Sequence, residues 1–147
     1  MQTWIEAIHQ VTDELATTML GFSSFTRSAE KASLDDIKDK KIKLAQVGDH
    51  TRVMLGVVAD DVSGPALTRA LLGMEPDEQV DEADIDDSLG EIANMIAGGV
   101  KIRVDQSLQI GVPAIRGDIE SLKGAKSLGL ARVSCDDVNF HLVVALL

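Results

Sequence analysis

The segment IDDSLGEIANMIAGGVK, residues 85 to 101, combines an apolar and a polar stripe on what we predict to be one helix. At about 100° of rotation per residue, one narrow face collects only apolar side chains. Its members are Ile85, Leu89, Ile92, Ile96 and Val100. A second, polar stripe lies roughly 180° away. It consists of Asp87, Glu91, Asn94 and Gly98. We therefore expect a helix that is anchored in a core by its back and presents a carboxylate, an amide and a glycine outward.

Composition and charge limit the classes of protein to consider. The 147 residues suggest a single domain spanning 1–147, and a hydrophobic fraction of 45% is sufficient for a core. The net charge of −10 argues against nucleic acid or an anionic membrane as the main partner. One cysteine, Cys135, excludes an intrachain disulfide framework and fits a reducing compartment. The opening MQTWIEAIHQ does not resemble a signal peptide and no apolar run is long enough to span a bilayer, so we expect a cytoplasmic protein.

The first half of the chain is predicted to hold a helix followed by a β-hairpin. Residues 3–21 have helical periodicity and a glycine stop, and residues 22–27 are compatible with a short strand. Residues 41–47 and 51–59 read as two strands joined by a turn at Gly48-Asp49. A short helix should follow. We expect Ser63 to cap it, Pro65 to occupy its first turn and Gly73 to end it.

The second half repeats this order. Residues 75–87 form an acidic connector that we expect to be mostly a solvated loop leading into the helix over 85–101. Strands are predicted at 108–112, 128–134 and 139–146, with a loop formed by 111–113 and 117–124. Asp136-Asp137 should make the turn of a second hairpin. The last strand is apolar on both faces, which is typical either of a central buried strand or of an edge that pairs with another chain.

Two helices, each associated with strands, predict an α+β domain with a mainly antiparallel sheet covered by the two long helices. Aligning Gly21 with Gly98 places Glu14 on Glu91 and Thr17 on Asn94. This correspondence indicates an internal pseudo-repeat in which the first copy keeps the carboxylate and has lost the amide. Chance similarity between two amphipathic helices is the alternative.

The sequence gives little support for a metal site, a phosphate-binding loop or a serine nucleophile. His9, His50 and His141 lack metal-ligand spacing to one another or to Cys135, so no metal site is predicted. Residues 98–101 are not a phosphate-binding loop, because no Gly-Lys-Ser/Thr occurs and the segment ends a helix. No Gly-x-Ser-x-Gly is present to suggest a serine nucleophile.

The pattern Asp87-x-x-x-Glu91-x-x-Asn94-x-x-x-Gly98 resembles the signature of the CheC/CheX/FliY chemotaxis phosphatases. The likeness extends over about residues 50–147. It includes the run from Gly90 to Gly98, Gly64-Pro65 before a short helix to Leu72-Gly73, and Pro113-x-x-x-Gly117. The resemblance implies an α+β fold with an internal pseudo-repeat, similar to the middle domain of the flagellar switch protein FliM. It also implies a homodimer.

The activity implied by the resemblance is removal of the phosphoryl group from the aspartyl phosphate of a CheY-type response regulator. Members of the CheC type carry the motif on both long helices and those of the CheX type only on the second, so Thr17 matches the CheX type. No cofactor of its own is expected, because the metal ion would sit on the receiver. A non-catalytic module that docks a receiver or a flagellar-switch component is the alternative.

The polar stripe suits this chemistry. Phosphoryl transfer needs a water held in line and charge kept in place, with little covalent help. Asn94 is the candidate water-positioning residue, since its amide can accept from water and donate to a phosphoryl oxygen. Glu91 would pair with the receiver's active-site lysine, and Gly98 would let the partner approach closely. Asp87 is expected either to contact the partner or to cap the helix.

Overall fold

A computed structural model describes residues 1–48, 52–104 and 119–147. The elements in chain order are α1 (Gln2–Thr18), β1 (Thr26–Lys31), α2 (Leu34–Ile37), β2 (Lys41–Val47), β3 (Val53–Ala59), α3 (Ser63–Leu72), α4 (Glu82–Val104), α5 (Ile119–Lys123), β4 (Ser127–Cys135) and β5 (Val138–Leu146). The predicted strand at 108–112, the loop at 111–113 and residues 49–51 lie outside the described residues. None of the helices in the described ranges has the length and apolar character needed to cross a membrane.

The strands form one antiparallel sheet in the order β1-β4-β5-β3-β2. The hairpins β2-β3 and β4-β5 meet at its centre, where Leu55 faces Val144 and Gly56 faces Val143 in the register. Asp136 and Asp137 have φ of 47° and 70°, the positive values of the tight hairpin turn expected there. The α+β prediction is confirmed. Because β5 lies between β4 and β3, it is a central strand and not an open edge.

The two long helices cover one face of the sheet, and each packs on the hairpin of the other half. Helix α4 contacts β2 and β3, and α1 contacts β5 and approaches Gly129 of β4 through Ile5. All five residues of the predicted apolar stripe on α4 are at most 6% exposed. The packing therefore confirms which side of α4 faces the core.

Helices α1 and α4 cross closely at Gly99. A Cβ atom added to Gly99 would lie 2.6 Å from Cγ1 of Val11, well inside ordinary van der Waals contact. Gly99 is thus required by packing between the helices. From the sequence, a role was expected only for its neighbour Gly98.

The opposite face of the sheet is covered by the short helices α2 and α5. Ile37 and Leu122 pack there against buried strand residues such as Ile42, Met54 and Val143. Residues 117–124 were predicted to be a loop, and this prediction is wrong for 119–123. Ile119 and Leu122 are three residues apart and form one apolar side of a helical turn, which the glycines on either side obscured.

Two boundaries differ from the prediction for reasons of hydrogen bonding. Ser63 does not cap α3; it is the helix's first residue. Asp60 Oδ1 accepts from the N–H of Ser63 at 2.7 Å, while Ser63 Oγ accepts from the N–H of Asp60 at 2.9 Å, a reciprocal capping box. The connector over 75–87 is shorter than predicted because α4 begins at Glu82, capped by Asp81, whose Oδ1 accepts from the N–H of Asp84 at 2.8 Å.

Strand β1 spans Thr26–Lys31 and not 22–27. All six of its side chains are exposed, so no alternation of apolar and polar residues marks it in the sequence. The end of α3 at Gly73, with φ of 68°, is as predicted. Gly21, also with φ of 68°, lies three residues beyond the end of α1.

Replacing Gly99 with alanine should change the free energy of unfolding in opposite directions in two backgrounds. Helix propensity alone favours alanine by about 1 kcal/mol, but overpacking costs about 1–3 kcal/mol. We expect Gly99→Ala to destabilise the wild type by about 1 kcal/mol and to stabilise a Val11→Ala variant by a similar amount. Urea denaturation of the four proteins measures both effects. Stabilisation in both backgrounds would contradict the close crossing.

Two buried histidines should make the fold sensitive to mild acid. Burial holds the pKa of His9 and of His141 below the usual 6.5, and Arg27 near His9 and Lys40 near His141 act in the same direction. Their Nδ1 atoms have no hydrogen-bond partner among the residues that the structure describes. Below pH 6.5 the histidines of the unfolded chain become protonated, whereas the buried rings of the folded protein stay neutral to a lower pH. The free energy of unfolding therefore falls as the pH drops, by up to about 1.4 kcal/mol per pH unit for each ring.

Urea denaturation at pH 7.5 and at pH 5.5 should therefore show a lower free energy of unfolding at the lower pH. In the double variant His9→Gln/His141→Gln this difference should shrink. An equal pH dependence in the variant would show that the two rings do not cause it. The carboxyls of Asp36 and Asp136 have lowered pKa values because they accept backbone hydrogen bonds, and they act only below their ordinary value of 3.8.

Candidate functional site

The predicted polar stripe lies on the middle turns of α4, on the side away from the sheet. Asp87 and Glu91 are exposed, and Asn94 and Gly98 are partly exposed. Asn94 follows Glu91 by one turn, about 4.5 Å along the helix axis. The structure therefore brings the four residues together on one face, as the sequence predicts.

The functional groups of this stripe are not engaged within the described part of the chain. Asp87, Glu91 and Asn94 have no side-chain hydrogen bond or ion pair to another described residue. A carboxylate and an amide are thus held side by side and remain available to a second molecule. Such groups on a rigid helix suit recognition better than groups on a loop would.

A lysine on the edge strand fixes the N-terminal half of α4. Lys41 Nζ lies 2.6 Å from Glu82 Oε2 and 2.7 Å from Asp86 Oδ1, and Lys43 Nζ lies 3.7 Å from the same Asp86 oxygen. The hydrogen bond between Lys41 and Asp86 raises the pKa of the lysine and lowers that of the carboxyl. The acidic residues of α4 that face β2 are therefore neutralised within the chain.

The helix-capping alternative for Asp87 is wrong. Helix α4 begins at Glu82, so Asp87 lies in its second turn, where its carboxylate cannot reach the free N–H groups of the first turn. Asp81 performs the capping. Asp87 is left as an exposed carboxylate beside Glu91.

The corresponding face of α1 is differently arranged. Glu14, which aligns with Glu91, pairs with Arg103 of α4 at 2.5 Å between Oε1 and Nη2. The hydroxyl of Thr17 donates back to the carbonyl oxygens of Asp13 and Glu14 in its own helix, at 3.2 and 3.1 Å. The carboxylate on α1 is thus occupied and no amide accompanies it. The role of Arg103 was not predictable from the sequence, because its approach to α1 depends on how the helices cross.

The two described histidines, His9 and His141, and the cysteine Cys135 are buried. Burial raises the pKa of the Cys135 thiol to about 11, so this cysteine is a poor nucleophile at neutral pH. Within the described residues, no group of three or more His, Cys, Asp or Glu is arranged to hold a metal ion. The chemistry that the site offers is therefore that of a free carboxylate next to a free amide.

Comparisons with known proteins identify the family and the fold. The family described as chemotaxis phosphatase CheX matches residues 43–128. The CheX–CheY–BeF3–Mg2+ complex of Borrelia burgdorferi aligns with a TM-score of 0.74 at 20% identity, over 97% of each chain. CheX of Vibrio vulnificus aligns with a TM-score of 0.68 at 16% identity, over 98% of this chain and 96% of that one. A chemotaxis protein CheX of Desulfovibrio desulfuricans aligns with a TM-score of 0.60 at 18% identity, over 99% and 97%.

A comparison with curated protein sequences gives no match. The solved structures, at these identities, establish the fold. The family match covers more than half of the sequence and includes the whole polar stripe of α4. The chain belongs to the chemotaxis phosphatase CheX family.

Proposed function

We propose that this protein is a phosphatase that hydrolyses the aspartyl phosphate of a CheY-type receiver domain. The observation that carries the proposal is the pair of side chains Glu91 and Asn94, one turn apart on the outward face of α4 and bonded to no other described residue. Family membership supports it, since the family is described as a chemotaxis phosphatase. The Borrelia burgdorferi relative was solved as a CheX–CheY–BeF3–Mg2+ complex.

Asn94 is the residue that positions the attacking water molecule. Hydrolysis requires a water molecule in line with the bond that breaks, and the transition state gains little from covalent help. The amide oxygen of Asn94 accepts a hydrogen bond from this water, while its N–H2 group donates to a phosphoryl oxygen. A carboxylate at the same position would repel the phosphoryl group, so the neutral amide is the better choice.

Glu91 and its neighbours align the two proteins. The carboxylate of Glu91 pairs with the active-site lysine of the receiver and so fixes the position of Asn94 over the phosphoryl group. Asp87 adds a second contact one turn earlier, and Gly98 leaves room for the partner's backbone. The receiver brings the metal ion that stabilises its own phosphoryl group, so this chain requires no cofactor of its own. The reaction takes place in the cytoplasm.

Replacing Asn94 with alanine should remove the stimulated dephosphorylation and leave the fold intact. We expect the rate to fall by about 100-fold, or about 2.7 kcal/mol in the barrier, because the water loses its positioning group. The rate is measured as phosphate release from a receiver charged with acetyl phosphate. Circular dichroism of the same preparation checks the fold.

The matched control is the equivalent face of α1. Because Glu14 is paired with Arg103 and Thr17 is bonded to its own helix, Glu14→Ala/Thr17→Ala should leave the rate within about twofold, or about 0.4 kcal/mol. Retained activity in folded Asn94→Ala would refute the role of Asn94. A large loss in the control would make α1 a second working site. Wild-type binding to the receiver without faster phosphate release would favour a non-catalytic docking module.

The protein is further proposed to be a homodimer, on the strength of the family resemblance alone. The last strand no longer supports it, because β5 is central, and the edge strands β1 and β2 carry charged side chains that disfavour pairing. Analytical ultracentrifugation at micromolar concentration should give a species of twice the chain mass of 15.7 kDa. A single species near 15.7 kDa would refute the dimer and leave the catalytic proposal intact.

A further inference from the structure

The outward stripe of α4 continues beyond Gly98 to an exposed isoleucine. Ile102 follows Glu91 by eleven residues, which returns it to within about 20° of the same line on the helix. Its side chain is 63% exposed, and the partly exposed Met95 lies between the two along the same face. A single exposed apolar residue is common on protein surfaces and means little by itself. Ile102 gains meaning because it lies on the line of Glu91 and on the same outward side of the helix as Asn94.

The stripe is polarised along the helix. At its N-terminal end Asp84, Asp87 and Glu91 are exposed and have no ion pair with a described residue, whereas Glu82 and Asp86 are paired with Lys41. Within α4, no described residue after Glu91 is acidic, and the charged residues of the last turn are Lys101 and Arg103. Arg103 is paired there with Glu14 of α1. The N-terminal end of the stripe therefore favours a basic surface on a partner, and the C-terminal end offers an apolar contact through Ile102.

A protein interface of ordinary size is large enough to include both ends of the stripe on α4. A specific interface buries about 800 Å2 on each partner, a patch with a radius of about 16 Å. Ile102 lies about 12 Å along the helix axis from Asn94, and Asp84 lies about 15 Å in the other direction. A receiver centred on Asn94 therefore reaches both residues.

We infer that the docked receiver lies along α4 in one orientation, with a basic surface over Asp84 and Asp87 and an apolar surface on Ile102. The inference rests on the proposed function and names the contacts that position the receiver. A second copy of this chain is the competing occupant of the stripe. It would cover Glu91 and Asn94 and so block the site.

Steady-state kinetics with a receiver that the wild type dephosphorylates separates the two ends of the stripe. Ile102→Ser should raise KM about tenfold, leave kcat unchanged and keep the wild-type dependence on ionic strength. Asp84→Asn should raise KM at low salt and flatten its salt dependence, since an exposed charge acts over roughly 10 Å at 0.1 M salt. Val62→Ser, 79% exposed in the turn before α3, and Asp77→Asn, in the connector, are controls that should change neither constant.

Binding alone distinguishes this inference from the proposed function. Calorimetric titration with a beryllofluoride-loaded receiver should show weaker binding for Ile102→Ser and unchanged binding for Val62→Ser, whether or not the wild type turns the receiver over. A KM and an affinity for Ile102→Ser equal to those of the wild type would overturn the apolar contact. A salt dependence for Asp84→Asn equal to that of Asp77→Asn would overturn the orientation. Loss of self-association in Ile102→Ser, with receiver binding unchanged, would assign the stripe to a second copy of the chain.

Discussion

The burial of one side of α4 is the constraint on which the rest of the structure depends. Each of its five apolar residues contributes about 1.5–3 kcal/mol when fully buried, and together they approach the net stability of a whole domain. A rotation of the helix by one residue would expose much of this surface, so the angular position of α4 is fixed. The outward direction of Glu91 and Asn94 follows from the same interaction, since a helix buried along one line presents the opposite line to solvent. The core thus determines the geometry of the site.

The two halves of the fold share their packing and differ in their outer faces. Each long helix covers the hairpin of the other half, and the hairpins meet at β3 and β5. On α4 neither the carboxylate nor the amide is bonded to another residue in the described part of the chain. On α1 the carboxylate is held by Arg103, which α4 itself supplies, and Thr17 is too short to extend an amide to a partner. A repeated architecture can therefore carry one site instead of two.

The sequence was sufficient to predict an element and its buried face wherever buried side chains recur with the period of a helix or a strand. This is why the core face of α4, strand β2 and the second hairpin agree with the prediction. The strand β1 could not be found in this way, because all its side chains are exposed. The roles of Gly99 and Arg103 depend on the crossing of α1 and α4, which no local pattern encodes. The capping of α3 was assigned to Ser63 in place of Asp60 because both residues favour that position.

Turnover at a low ratio of this protein to the receiver tests the central claim most directly. A phosphatase that positions water acts repeatedly. At one molecule of this protein per ten receivers, all the receivers should therefore lose their phosphate, at a rate proportional to the concentration of this protein. A docking module binds its receivers without accelerating the reaction. The account would be contradicted by phosphate release no faster than that of the receiver alone. A longer half-life of the aspartyl phosphate in the presence of this protein would also contradict it.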